Sequence, residues 1–110
     1  MAGSNGSTFG TQNSNTPSII AGDGSTGVVI LAANPARIGF KITNVGTTVA
    51  KVRYGAGASD TVYHSPLKGG SADGDGLGGS ETFTNGAIYN GVITMYGAST
   101  AKVTVLEIAP

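Results

Sequence analysis

The clearest pattern along the chain has a period of two. From Arg37 to Thr43 the apolar residues Ile38, Phe40 and Ile42 alternate with Arg37, Gly39, Lys41 and Thr43, as in a strand with one face buried and one facing water. Asn44-Val45-Gly46 turns the chain, and Ala50, Val52 and Tyr54 then alternate with Lys51 and Arg53. These two segments are predicted to pair as antiparallel neighbours. Further short strands are expected at 28–31, 61–64, 81–84, 88–96 and 101–108, each bounded by Gly, Pro, Asn or Asp. Within the last, Val103 and Val105 share one face while Leu106 and Ile108 occupy the other. One set can serve the core and the other a subunit contact, or a bulge can switch the faces. β-branched residues dominate the apolar runs, and glycine interrupts every stretch that could carry helical spacing, so no long helix is expected. Seven or so short strands with regular turn signals predict an all-β fold, an antiparallel β-sandwich or barrel of which the jelly roll is one form.

Residues 1–18 do not share the pattern. They carry no charge, and Phe9 is their only large apolar anchor besides Met1, so they read as an extended N-terminal arm, closed by Pro17, ahead of a β-sandwich domain at 19–110. Gly69 to Gly79 holds six glycines in eleven positions and is expected to be a loop. The 110 residues suit one domain, and the sequence has no cysteine, so its modest core has no disulfide or thiolate metal site to support it.

Six basic and six acidic residues cancel, which disfavours nucleic acid and anionic membranes as partners. The charged fraction of 11%, against about 25% in ordinary soluble domains, favours association and points to life inside an assembly. With no secretory signal and no apolar run long enough to span a bilayer, the chain reads as soluble when made. Lys41, Lys51, Arg53 and Lys102 fall on predicted strands and Asp23, Asp60, Asp73 and Asp75 in predicted loops, which implies a mildly basic sheet face with acidic loop edges. Edge charges that discourage strand-to-strand aggregation are the plainer reading.

Candidate chemistry is sparse. Gly22 to Gly27 and Gly74 to Gly79 both fit G-x-G-x-x-G, but neither precedes a helix that could meet a pyrophosphate. Asp73-Gly74-Asp75 starts like a calcium loop, yet Leu77 stands at the fifth position and Thr84 at the twelfth. His64 is the only histidine, which excludes a multi-histidine metal centre within one chain, and no nucleophile-elbow sequence supports a Ser-His-Asp arrangement. Nothing in the sequence places Glu81 and Glu107 in one cleft for glycoside hydrolysis. Tyr54, Tyr63, Tyr89 and Tyr96 could stack on sugars, but there is no tryptophan. Asn5-Gly6-Ser7 is a formal glycosylation acceptor without a signal peptide, and Asn85-Gly86 and Asn90-Gly91 are turn dipeptides. No enzyme and no cofactor are expected.

The run NPARIGFKITNVGTTVAKVRYG at 34–55, a glycine-rich loop, and the ending YNGVITMYGASTAKVTVLEIAP at 89–110 together resemble small β-sandwich proteins of tailed bacteriophage particles, among them head-decoration or cement proteins. The shared features are an Arg-containing strand entering an Asn-x-Gly turn, a Tyr-x-Gly element and a Glu near the C-terminus. The resemblance implies a jelly-roll-like virion protein, made in the host cytoplasm, that sits on the outer capsid surface and stabilises it. Its partners would be the major capsid protein and copies of itself, as a dimer or trimer. Contacts would be sought at Phe9, Lys41, Lys51 and Arg53. A receptor- or glycan-binding module of a fibre or secreted protein is the alternative, and it expects clustered, exposed tyrosines in a shallow groove.

Overall fold

A computed structural model describes residues 12–84 and 88–110. Phe9, the Asn5 acceptor and the Asn85-Gly86 turn lie outside the described residues. Two antiparallel sheets face each other. In chain order the strands are β1 (Asn13–Ser14), β2 (Ile19–Ala21), β3 (Val28–Leu31), β4 (Gly39–Asn44), β5 (Ala50–Tyr54), β6 (Ser65–Leu67), β7 (Ser80–Thr84), β8 (Ile93–Tyr96) and β9 (Lys102–Ala109). The first sheet runs β1-β9-β4-β7, with β2 also on the outer side of β9, and the second runs β3-β8-β5-β6.

From Ile19 onward the pairing is nested: β5 with β6, β4 with β7, β3 with β8, and β2 with β9. A long hairpin with its tip at 55–64 has in effect been rolled until its two halves close into a sandwich, which is the jelly-roll arrangement. All connections from β2 onward pass between the sheets except β5 to β6.

This arrangement corrects the expected hairpin across Asn44-Val45-Gly46. β4 and β5 belong to opposite sheets, and the segment between them is an arch. Asn44 is buried and fastens it: Nδ2 donates to the carbonyls of Thr48 (2.8 Å) and Leu67 (2.9 Å), and Oδ1 accepts from the Gly46 amide (2.9 Å). The arch also needs close backbone approach, since a Cβ on Gly46 would lie 2.1 Å from the Thr100 carbonyl oxygen and one on Gly78 1.9 Å from that of Asn44.

The strand expected at 61–64 forms instead at Ser65–Leu67, because Ser59 closes a turn with Val62 and draws the preceding residues away. Pro66 is tolerated there because β6 is an edge strand. Of the expected 88–96 strand only Ile93–Tyr96 pairs, since the Asn90 carbonyl accepts from the Asn34 amide (2.8 Å) and its side-chain Nδ2 donates to the carbonyls of Asn34 and Arg37. The described part of the arm already lies on the sheet: Asn13 and Ser14 pair with Ala109 and Ile108, and the Asn15 side chain bonds Val105 O and Glu107 N.

The core is built by the inward positions of both sheets. Phe40, Ile42, Val103 and Val105 come from the first, and Ala50, Val52, Leu67, Ile93 and Met95 from the second. Ile38, the third member of the original alternation, precedes β4 and is exposed.

Candidate functional site

At one end of the sandwich, aromatic rings from both sheets converge. Phe40 and Phe83, opposite each other on β4 and β7, stack with centroids 5.0 Å apart. Tyr54 from β5 meets Phe83 edge-on at 5.8 Å and Tyr89 at 5.7 Å. Together the four rings line an open pocket of about 160 Å³. Their inward direction follows from strand parity, Tyr54 continuing the Ala50–Val52 series and Phe83 lying two residues beyond Glu81.

Two polar arrangements support this end. The guanidinium of Arg37 lies 5.8 Å from the Phe40 ring centroid with its side chain fully buried. It donates to Glu107 Oε2 (2.9 Å) and to the carbonyls of Tyr89 (2.7 Å), Gly91 (3.1 Å) and Ala32 (2.6 Å). Arg37, read from sequence as an outward polar residue, is therefore a strut tying β9 to the segments around the pocket. The legible signal was Glu107, a lone carboxylate on the inward face of β9 after Val103 and Val105, where an unpaired charge is costly. Glu81 bridges the sheets: the Tyr54 hydroxyl donates to Oε1 and Ser65 Oγ to Oε2 (2.7 Å). Burial pushes the Glu81 carboxyl above its ordinary pKa of 4.5.

Hydrolytic geometry does not follow from these groups. Ser65 and Glu81 meet inside the sandwich, whereas His64, one residue away on the opposite parity, is exposed and accepts the Tyr54 amide at Nδ1 (3.1 Å). Glu107 is engaged by Arg37 and Glu81 by Tyr54 and Ser65. Among the described residues no group of three or more His, Cys, Asp or Glu could hold a metal ion.

Both glycine-rich motifs fold around their own carboxylates. Asp23 accepts the amides of Ser25 (2.9 Å) and Thr26 (2.7 Å) and the Thr26 hydroxyl, and these bonds, the hydroxyl's foremost, hold its carboxyl at about 2. Asp75 accepts the amides of Ser71 (2.8 Å), Ala72 (2.9 Å) and Leu77 (2.9 Å), and its pKa too is lowered by backbone bonds, that of Leu77 first. These amides are turned toward an internal anion, so the motifs are capped turns. Asp73 pairs with Lys102 (2.5 Å) and helps fasten the 69–79 loop.

The basic residues do not form one face. Lys41 is exposed on the outside of the first sheet, between Leu106 and Thr82. Lys51 and Arg53 lie outside the second sheet, beneath the 55–64 tip. Lys51 bonds Asp60 Oδ1 (2.5 Å) and the Asp60 carbonyl (3.0 Å) with Tyr63 against its ammonium, and the Asp60 bond raises its pKa. Arg53 reaches Gly57 O at 3.4 Å. The tip covers the part of this face around Thr94, burying Ala58 and Thr94, while Val29 on β3 stays exposed. Outside the first sheet, Leu106 and Ile19 are exposed, Ile19 by 65%, and a groove of about 430 Å³ runs between Ile19, Ala21, Val45 and Thr104.

No family model matches the chain, and no curated protein matches it. Among solved structures it is similar to a chain described under "Bacillus endospore appendages form a novel family of disulfide-linked pili", at 13% identity over 89% of this chain and 82% of that one, with a TM-score of 0.48. A likeness of that size carries no functional inference, and the cysteine-free sequence of this chain provides no disulfide.

Proposed function

We propose that the protein is a non-catalytic structural module that docks on a protein surface through the outer face of its first sheet, as a building block of a surface assembly. The observation that carries this reading is the contrast between the two outer faces. The second is partly covered by the chain's own 55–64 tip, with Val29 left exposed on β3, whereas the first exposes Ile19 and Leu106 among Thr43, Thr82 and Thr104, with Lys41 as the cation at its centre. Antiparallel sheets commonly keep one face solvated, but two large aliphatic side chains on that face favour a partner.

The phage-particle resemblance suggests a specific case, attachment to major capsid protein on the outside of a head. Four strand positions at about 4.8 Å and about six residues at about 3.4 Å give a face of roughly 400 Å², half of the roughly 800 Å² per partner in a standard interface. Repetition over a shell, or a further contact beyond this face, would complete the attachment.

The test is cosedimentation with undecorated capsids of the source phage. Ile19→Asp with Leu106→Asp should abolish binding while thermal unfolding stays near that of the parent, and Arg53→Glu on the covered face should bind normally. Equal binding by the Ile19/Leu106 variant would refute the docking face, and no binding by the parent would refute the capsid case.

The receptor- or glycan-binding reading is favoured by one observation, the meeting of Tyr54 and Tyr89 at the aromatic end. Tyr63 and Tyr96 lie elsewhere, near Lys51. Saturable shifts of the Tyr54 and Tyr89 ring signals on titration with a glycan would support it.

A further inference from the structure

We propose that the aromatic pocket receives Phe9 from the N-terminal arm of a second copy of this chain. The inference rests on the assembly reading only in requiring copies to meet.

The pocket suits one aromatic ring. Its volume is about 160 Å³, and a dry apolar cavity of about 150 Å³ accommodates benzene. All four lining residues, Phe40, Tyr54, Phe83 and Tyr89, are aromatic, so a ring entering it gains stacked and edge-on contacts, whereas a sugar would find few free polar partners. Phe9 is the only aromatic residue in 1–18.

The register of the described arm residues sets a direction. Asn13 pairs with Ala109 and the chain runs antiparallel to β9, so at Asn13 it is headed past the end of that strand. The pocket lies back from that end, because Phe40 and Phe83 are level with Glu107, two residues short of Ala109. Reaching it within the same chain means crossing two strand spacings, about 10 Å, returning about 7 Å and entering between the sheets. The direct distance is about 12 Å against at most about 14 Å for four residues, so within one chain only a nearly straight segment that turns back at once would reach it. A neighbouring copy needs no reversal.

An acceptor edge is also present. Among the described residues β7 pairs with β4 alone and forms the other border of the first sheet, so its outer main-chain groups face away from the sheet. An arm strand added antiparallel there with Phe9 opposite Phe83 puts the two side chains on the same inward face, because residues directly opposite share a face.

The test uses the full chain alone. Sedimentation velocity over a concentration series compares the parent with Phe9→Ala and Phe9→Leu, and thermal unfolding of each checks the fold. Phe9→Ala should weaken self-association at least about tenfold, with Phe9→Leu intermediate and unfolding unchanged. In a mixture of differently isotope-labelled copies, nuclear Overhauser effects should connect the Phe9 ring with Phe83 and Tyr89 across copies. Self-association of Phe9→Ala equal to the parent overturns the proposal, as do contacts found only within one copy. Occupation of the pocket by an added oligosaccharide with association untouched assigns it to a glycan and also overturns it. Capsid binding enters none of these readouts, so failure of the docking face leaves this result standing, and the reverse holds too.

Discussion

Replacing Glu107 by Ala removes the counter-charge from a guanidinium whose side chain has no solvent exposure. Three carbonyl bonds to Arg37 survive, from Tyr89, Gly91 and Ala32, so its donors are not all orphaned, but its charge is left unpaired beside the Phe40 ring. Breaking one side of a buried pair costs about 3–5 kcal/mol. The Glu107 side chain is 20% exposed, which admits some water to the gap and places the expected loss near the lower end, about 3 kcal/mol. With an unfolding entropy of about 2.1 cal/mol/K per residue, that corresponds to a fall in Tm of about 13 °C. Replacing both partners, Arg37→Met with Glu107→Leu, should recover most of the loss, since the cost comes from the unpaired charge rather than from absence of the pair. Thermal and urea unfolding followed by circular dichroism would measure Glu107→Ala and the cycle made by the parent, Arg37→Met, Glu107→Leu and their double variant. A Tm change under about 3 °C for Glu107→Ala, or a double variant as unstable as the sum of the singles, would refute the strut.

Three further outcomes are expected. Asn44→Ala removes the side chain that fastens the arch and takes a donor from the Thr48 and Leu67 carbonyls, while the Gly46 amide keeps its bond to the Lys102 carbonyl (3.2 Å), at a cost of about 2 kcal/mol measured by urea unfolding; an unchanged midpoint would show that the glycine approaches hold the arch alone. Because burial raises the Glu81 pKa, its stabilising contribution is complete below 4.5 and is lost as pH rises through the folded value, so parent stability relative to Glu81→Gln should decline over that window. A parallel pair of pH profiles would contradict this; the lowered Asp23 works in the opposite sense and further to acid, its contribution lost as pH falls toward about 2. Added Ca²⁺ or a chelator should leave Tm unchanged, because the Asp75 oxygens are turned onto the amides of their own loop, and a Tm that climbs with Ca²⁺ would make that loop a site.

Strand positions were legible where alternation was strong, at Gly39–Asn44 and Ala50–Tyr54, and where a β-branched apolar run follows a glycine, at Val28–Leu31. Strand partners were not. Asn44-Val45-Gly46 has the chemistry of a hairpin turn, and what makes it an arch is supplied from afar, by the Leu67 carbonyl, by Thr100 against Gly46 and by the Asn44 carbonyl against Gly78. Arg37 was misread for a related reason: its polarity suggested water, and the carboxylate that buries it lies 70 residues away. The aromatic pocket was hidden because its four residues come from separate segments, and only the closure of the two sheets brings them together.

The nested pairing also places a constraint on the order of events during synthesis. The tip pair β5–β6 closes over a short loop and can form early, but β9 occupies an interior position of the first sheet, between β2 and β4. Until residues 102–109 have been made, β4 lacks one neighbour and both short arm strands lack any. From the pairing of β4 with β7 until β9 joins them, the growing chain therefore carries an open, Thr- and Ile-rich sheet edge. Folding dominated by such distant pairings belongs to the slow regime, milliseconds to seconds. The low charge of the chain makes that interval the one in which aggregation is the main competitor to folding.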